Sequence, residues 1–210
     1  MDITLYFDPL CPWCWMTDTW VRSIAEERDL NITHKPISLR LKNGEMPEPY
    51  TTRSNHTLSM LRVIEYMRAN GADSKVSDVY KHLGTAIHKD KLLEQDNPDV
   101  KAAIVAALEE SGLNTDWADH MDSDVLTDAV QTSTNEAISL SGEDVGTPII
   151  AFKDANGDDA ALFGPVISQL PPTRNEALDL WDAYVTFATK PYFWELKRSR
   201  SEGPNVDSTF

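Results

Sequence analysis

Cys11 and Cys14 are the only cysteines in the chain, and they enclose Pro12 and Trp13. Two thiols at this spacing can bind a metal, pack inertly in a core, or cycle between dithiol and disulfide. A tetrahedral zinc site needs two more good ligands. Of His34, His56, His82, His88 and His120, only His82 and His88 fit a ligand-pair spacing, at its upper limit. They also lie further from the cysteines than a zinc finger allows. Inert burial is the bland alternative. What surrounds the pair favours the redox dithiol.

Ile3-Thr4-Leu5-Tyr6-Phe7 is a run of strand formers, and Asp8-Pro9-Leu10 is a short turn. Pro12 then stands at the helix position where proline is best tolerated. Trp15, Met16, Trp20, Val21, Ile24 and Ala25 follow on one helical face. The dithiol is therefore predicted at a strand-to-helix junction, with Cys11 at the exposed cap and Cys14 one turn further in and more buried. Free N–H groups at the helix start contribute up to ~2 kcal/mol to a thiolate. At about 1.4 kcal/mol per unit, that brings a cysteine pKa from ~8.5 to about 7. Trp13 adds no positive charge, and a nearby Asp8 carboxylate would oppose ionisation. Cys11 is thus expected to attack and Cys14 to resolve.

The remaining elements must hold this junction in place. Ile32 to Leu39 predicts a second strand, near an edge because of Pro36. Asn43 to Arg53 is turn-rich, with Gly44, Pro47 and Pro49. Helical patterns run from Ser54 to about Ser141, broken at Asn70-Gly71, Asn97-Pro98 and Gly112. Pro148 to Phe152 returns to strand character. Asn156-Gly157 is a hairpin turn, Ala160 to Phe163 the return strand, and Arg174 to Ala188 a final helix. Asp154, Asn156 and Asp158 do not make a calcium loop, since Asp159 takes the glycine position. The order predicts an α/β thioredoxin-like domain, residues 1–45 and 142–210, with an inserted α-helical domain at 46–141.

Lys and Arg number 19 against 34 Asp and Glu, a net charge of −15. That excess disfavours nucleic acid and anionic membranes as partners. Apolar stretches are too short to span a bilayer. The N-terminal residues lack the basic and apolar regions of an export signal, so a cytoplasmic location is expected, where thiols stay reduced. The basic group Lys197, Arg198 and Arg200 is too short for nucleic acid and is left to lie along the surface or to meet an anionic ligand.

Phe7-Asp8-Pro9-Leu10-Cys11-Pro12-Trp13-Cys14-Trp15 resembles the active-site segment of DsbA-like thioredoxin-fold proteins of actinobacteria. Gly142-Glu143-Asp144-Val145-Gly146-Thr147-Pro148 is similar to their second signature. Phe163-Gly164-Pro165-Val166-Ile167-Ser168, Trp181-Asp182 and Glu195-Leu196-Lys197-Arg198 also match. Within that group the chain most resembles the mycothiol-dependent nitroreductases. The resemblance implies mycothiol as electron donor, no flavin or other tightly bound cofactor, and reduction of small electrophiles such as nitroaromatic compounds. It implies Cys11 as nucleophile, Cys14 as resolving thiol, and Pro148 as the cis-proline facing them beside the Thr147 backbone. Pro12, Trp13, Asn43 and Tyr50 match positions that line the family's substrate site, and the Ala86-Ile87-His88 segment also matches.

Each of these has a plainer alternative. Trp13 could simply cover the disulfide, Asn43 could form a turn before Gly44, Tyr50 could pack a loop, and His88 could be structural. Two function classes follow. One is a small-molecule reductase recycled by mycothiol, with a mycoredoxin-type protein as a further recycling partner. The other is a protein thiol–disulfide oxidoreductase; a non-enzymatic redox sensor is a distant third.

Overall fold

The computed structural model describes residues 1–209. Four strands form one sheet in the order β2-β1-β3-β4: β1 Asp2–Phe7, β2 Asn31–Pro36, β3 Ile149–Lys153 and β4 Asp159–Phe163. β1 pairs with β2 in parallel and with β3 antiparallel, and β3 pairs with β4 antiparallel. A parallel pair needs a crossover. Helix α1, Pro12–Ile24, supplies it and begins at the dithiol.

Period-two alternation splits the sheet into two apolar faces. Ile3, Leu5, Phe7, Ile150 and Phe152 face the main core, which also contains Cys11, Cys14 and the buried side of α1. Tyr6, Ile149 and Ala151 face the other side, against Ala137 and Leu140 of α6, Asp124–Ser141. α6 is fastened to the end of β2: Ser133 Oγ donates to the Pro36 carbonyl at 2.7 Å, and Thr134 Oγ1 accepts from the Ser38 N–H at 3.0 Å. Helix α7, Arg174–Ala188, packs on α1, with Trp20 Nε1 donating to the Ala177 carbonyl at 3.0 Å.

The second strand ends earlier than the sequence pattern predicts. It stops at Pro36, and Leu39 opens a short helix, α2, Leu39–Asn43. Ser38 is the reason: its hydroxyl accepts from the Leu41 N–H and caps a helix start. Helix α3, Tyr50–Ala69, begins four residues before the predicted Ser54, with Pro49 at its cap. Paired prolines read as a turn, but proline is equally at home where a helix begins. α4, Val76–Gly84, runs into a π-turn at Thr85–Lys89, and α5 is Val100–Glu110. β2 is an edge strand and the Asp154–Asp158 hairpin forms as expected. Among the described residues, no helix is long and apolar enough to cross a membrane.

α4 approaches the dithiol helix at Gly84. A Cβ on Gly84 would stand 2.1 Å from Cε3 of the buried Trp15 ring. Gly84→Ala should therefore lower stability by about 1–3 kcal/mol, against the usual gain for such a change in a helix. Urea unfolding followed by fluorescence measures it. An unchanged or raised midpoint would mean that the Trp15 ring moves freely.

Candidate active site

The turn that delivers Cys11 to α1 is built around Asp8. The Asp8 carbonyl accepts from the Cys11 N–H at 2.9 Å. Its carboxylate accepts from Leu10 N–H at 2.8 Å and from Leu39 N–H at 2.7 Å, which ties the dithiol turn to the start of α2. Asp8 is fully buried, and this burial pushes its pKa up to about 6 despite those two donors. The acid that the sequence reading set against the thiolate thus spends its carboxylate on backbone donors. It does not figure among the main influences on Cys11.

Cys11 caps α1 with extended backbone, φ −83° and ψ 109°, and Pro12 takes the first helical position. The expected exposed cap is not exposed: Cys11 is only 6% accessible, and Cys14 is fully buried. The segment before β3 covers it, and the Cys11 thiol lies 3.6 Å from the Thr147 carbonyl. Pro148, which follows, is buried and joined to Thr147 by a cis peptide bond. Both cysteines are free thiols.

The two sulfurs differ sharply in acidity. A hydrogen bond from the Cys14 thiol is the largest influence on Cys11. With the Thr147 side chain and the Cys14 and Trp13 N–H groups, it outweighs burial and lowers the Cys11 pKa. Burial raises Cys14 well above the ordinary thiol range, reinforced by its bond to Cys11 and by the charge that forms there. Cys11 therefore ionises first, and Cys14 stays protonated beside it. Helix-end N–H groups do contribute, but the partner thiol contributes more.

The profile of the Rv2466c-like family, described as mycothiol-dependent nitroreductase Rv2466c, matches residues 10–198, the dithiol and Thr147-Pro148 included. This chain belongs to that family. It is an oxidoreductase, and mycothiol dependence is the family's stated character. The chain is 25% identical over 202 residues to the uncharacterized protein Rv2286c of Mycobacterium tuberculosis, across 95% of this chain and 82% of that protein. Its fold is similar to a putative protein disulfide isomerase from Nitrosomonas europaea, with TM-score 0.56, 14% identity and coverage of 89% and 98%. It is also similar to the cytosolic disulfide reductase DsbM from Pseudomonas aeruginosa, with TM-score 0.55, 14% identity and coverage of 89% and 96%. DsbA from Xylella fastidiosa follows, with TM-score 0.53, 16% identity and coverage of 88% and 83%. The architecture is therefore the DsbA-like, thioredoxin-type α/β fold.

Against this family pattern, the structure brings Cys11, Cys14 and Thr147 into contact and sets half-buried Trp13 beside them. Arg200 lies over the Trp13 ring, with Cζ 5.1 Å from its centroid. Asn43 and Tyr50 stand at the exposed ends of α2 and α3, and Tyr50 is 55% accessible. Neither hydrogen bonds to the dithiol among the described residues; the Asn43 amide points to Met46 Sδ at 3.8 Å. His88 is buried in the π-turn beside Trp15, with ring centroids 6.0 Å apart, and its Nε2 has no partner among the described residues. Burial holds its pKa down to about 4, although the Pro9 carbonyl pulls the other way. No cluster of three or more His, Cys, Asp or Glu side chains among the described residues could hold a metal.

The partner-thiol bond is directly testable. The Cys11 pKa, read from thiolate absorbance, should be higher in Cys14→Ala than in Cys14→Ser, because the serine hydroxyl still donates. Equal values would leave the Thr147 side chain and the helix-end N–H groups as the sources of acidity.

Asp8 and His88 oppose one another in pH dependence. From about pH 4 to 6 the unfolded chain releases the Asp8 proton while the folded chain keeps it, so this contribution to stability falls as pH rises. A pKa raised from 3.8 to about 6 costs about 3 kcal/mol above that window. His88 is neutral when folded and protonated when unfolded below about pH 6.5, so its contribution rises over the same window. Asp8→Asn removes only the falling limb. Its stability relative to wild type should grow by about 2 kcal/mol between pH 4 and 7 in urea titrations. A difference that stays constant would show that Asp8 titrates alike in folded and unfolded chains.

Proposed function

We propose that the chain reduces small electrophiles, nitroaromatic compounds among them, with its Cys11–Cys14 dithiol, and is itself reduced by mycothiol in the cytoplasm. One observation carries this reading: an unlike thiol pair, Cys11 lowered and Cys14 raised, at the helix start of a chain that matches the mycothiol-dependent nitroreductase family.

In the proposed cycle the reduced pair supplies two electrons and two protons to a nitro group. The products are a nitroso compound, one water and the Cys11–Cys14 disulfide. A mycothiol thiolate then attacks Cys11 Sγ, and the Cys14 sulfur leaves as thiolate. A second mycothiol, or a mycoredoxin-type partner, attacks the mycothiol sulfur of the mixed disulfide and frees Cys11. Attack on Cys11 is favoured over attack on Cys14 because Cys14 is fully buried one turn inside the helix. Trp13, half-buried between the two cysteines in sequence, offers an aromatic face, and stacking on it is worth ~0.5–1.5 kcal/mol. In this reading Pro12 fixes the helix start, Thr147-Pro148 forms the wall against which thiols dock, and Asn43, Tyr50 and His88 belong to its outer shell.

The test is mycothiol-driven reduction of a nitro dye by the purified protein. Cys11→Ser should abolish turnover. Cys14→Ser should accumulate a mycothiol adduct on Cys11 by mass spectrometry. Trp13→Ala should raise KM about 2- to 10-fold while leaving alkylation of Cys11 nearly unchanged. No turnover of any nitroaromatic, together with rapid thiol–disulfide exchange on a model protein, would overturn the reading in favour of a protein oxidoreductase.

A further inference from the structure

The basic group near the C-terminus is not used by the cycle above. Lys197, Arg198 and Arg200 fall within four residues of a chain whose net charge is −15. Lys197 is partly spent on Glu195, 3.8 Å away. Arg200 has no hydrogen bond or ion pair among the described residues, and its guanidinium lies over the ring of Trp13.

The segment carrying Arg200 is fastened on both sides. Before it, Phe193 stacks on Phe187 of α7 with centroids 4.7 Å apart. After it, the Asn205 N–H donates to the Ser168 carbonyl at 2.6 Å, and Ser208 Oγ accepts from the Leu170 N–H at 3.1 Å. Val206 packs against the main core. These anchors bring Arg200 to the Trp13 ring, between the two cysteines in sequence, and Arg200 lies beyond the family match at 10–198.

We propose that the C-terminal segment completes the substrate site, and that Arg200, seated on Trp13, selects aromatic substrates that carry an anionic group. A guanidinium that stacks by its face keeps its N–H edge for hydrogen bonds. That edge matches a planar pair of oxygens, as in a carboxylate, in a bidentate fork. The part of the half-buried indole that Arg200 leaves uncovered is the surface for the ring of the same molecule. Arg200 and Trp13 together therefore recognise an aromatic acid at the segment that carries the dithiol. A neutral aromatic of the same shape gains the stacking but not the charge-assisted fork.

The inference rests on the reductase reading, and one pair of compounds separates the two: 4-nitrobenzoate and its neutral counterpart 4-nitrobenzamide. Mycothiol-driven turnover should show a lower KM for the benzoate in wild type. Arg200→Gln should cut that preference about tenfold, as expected for loss of a charge-assisted bond. Arg200→Lys should keep part of it, and 0.5 M salt should erode it in wild type at about a 4 Å screening length. An undiminished benzoate preference in Arg200→Gln overturns the proposal. If wild type turns over neither compound, the reductase reading fails, and calorimetric titration of the oxidised protein still decides the role of Arg200. A tenfold weaker Kd for the benzoate alone in Arg200→Gln supports it; equal effects on both ligands overturn it.

Discussion

Desolvation governs the ground beneath the dithiol. Burial pushes Asp8 up to about 6, holds His88 down to about 4 and raises Cys14 well above the ordinary thiol range. Each is driven toward its neutral form, as expected where water is excluded. Cys11 alone moves toward its charged form in the same surroundings. The groups that reverse the trend are neutral donors: the Cys14 thiol, the Thr147 side chain and two N–H groups of α1. Donors of this kind act only at contact distance. The position of every element around Cys11 is therefore constrained by one sulfur.

That constraint makes the supporting structure intelligible. Asp8 holds both the turn and the start of α2, so the sulfur and the neighbouring helix are fixed by one carboxylate. Thr17 Oγ1 donates to the Pro165 carbonyl at 2.7 Å, which pins α1 to the loop after β4. Asp18 is fully buried between Arg22 and His34, at 2.8 and 2.7 Å, and so links α1 to β2. Gly84 leaves α4 flush against Trp15. Together these groups set where the Cys11 sulfur stands.

Much of this was legible in the residues themselves. β1, the start of α1 at Pro12, the edge position of β2 and the Asn156-Gly157 hairpin all follow local rules of alternation, proline placement and turn chemistry. α2 was not legible, because Ile32 to Leu39 continues an apolar alternation and a five-residue helix has too few turns to show a period of its own. The burial of Cys11 was missed for a different reason. Its local position is a helix end, ordinarily open to water, and a segment 136 residues away lies against it. The pairing with Thr147-Pro148 came from family resemblance and not from spacing. Arg200 on Trp13 is longer-range still, and no pattern within either segment points to the other.

The central place of β1 in the sheet also has a temporal side. β1 is made first, but its antiparallel neighbour β3 starts at Ile149. At ribosomal speeds of about 5–20 residues per second, roughly 7–30 s separate the two. For that interval β1 can pair only with β2, and Thr147, which covers Cys11, has not yet been synthesised. The newborn chain therefore carries its more acidic sulfur without this cover for most of its own synthesis. The surroundings in which it is made, and not the finished fold, must protect that thiol until the second half of the sheet arrives.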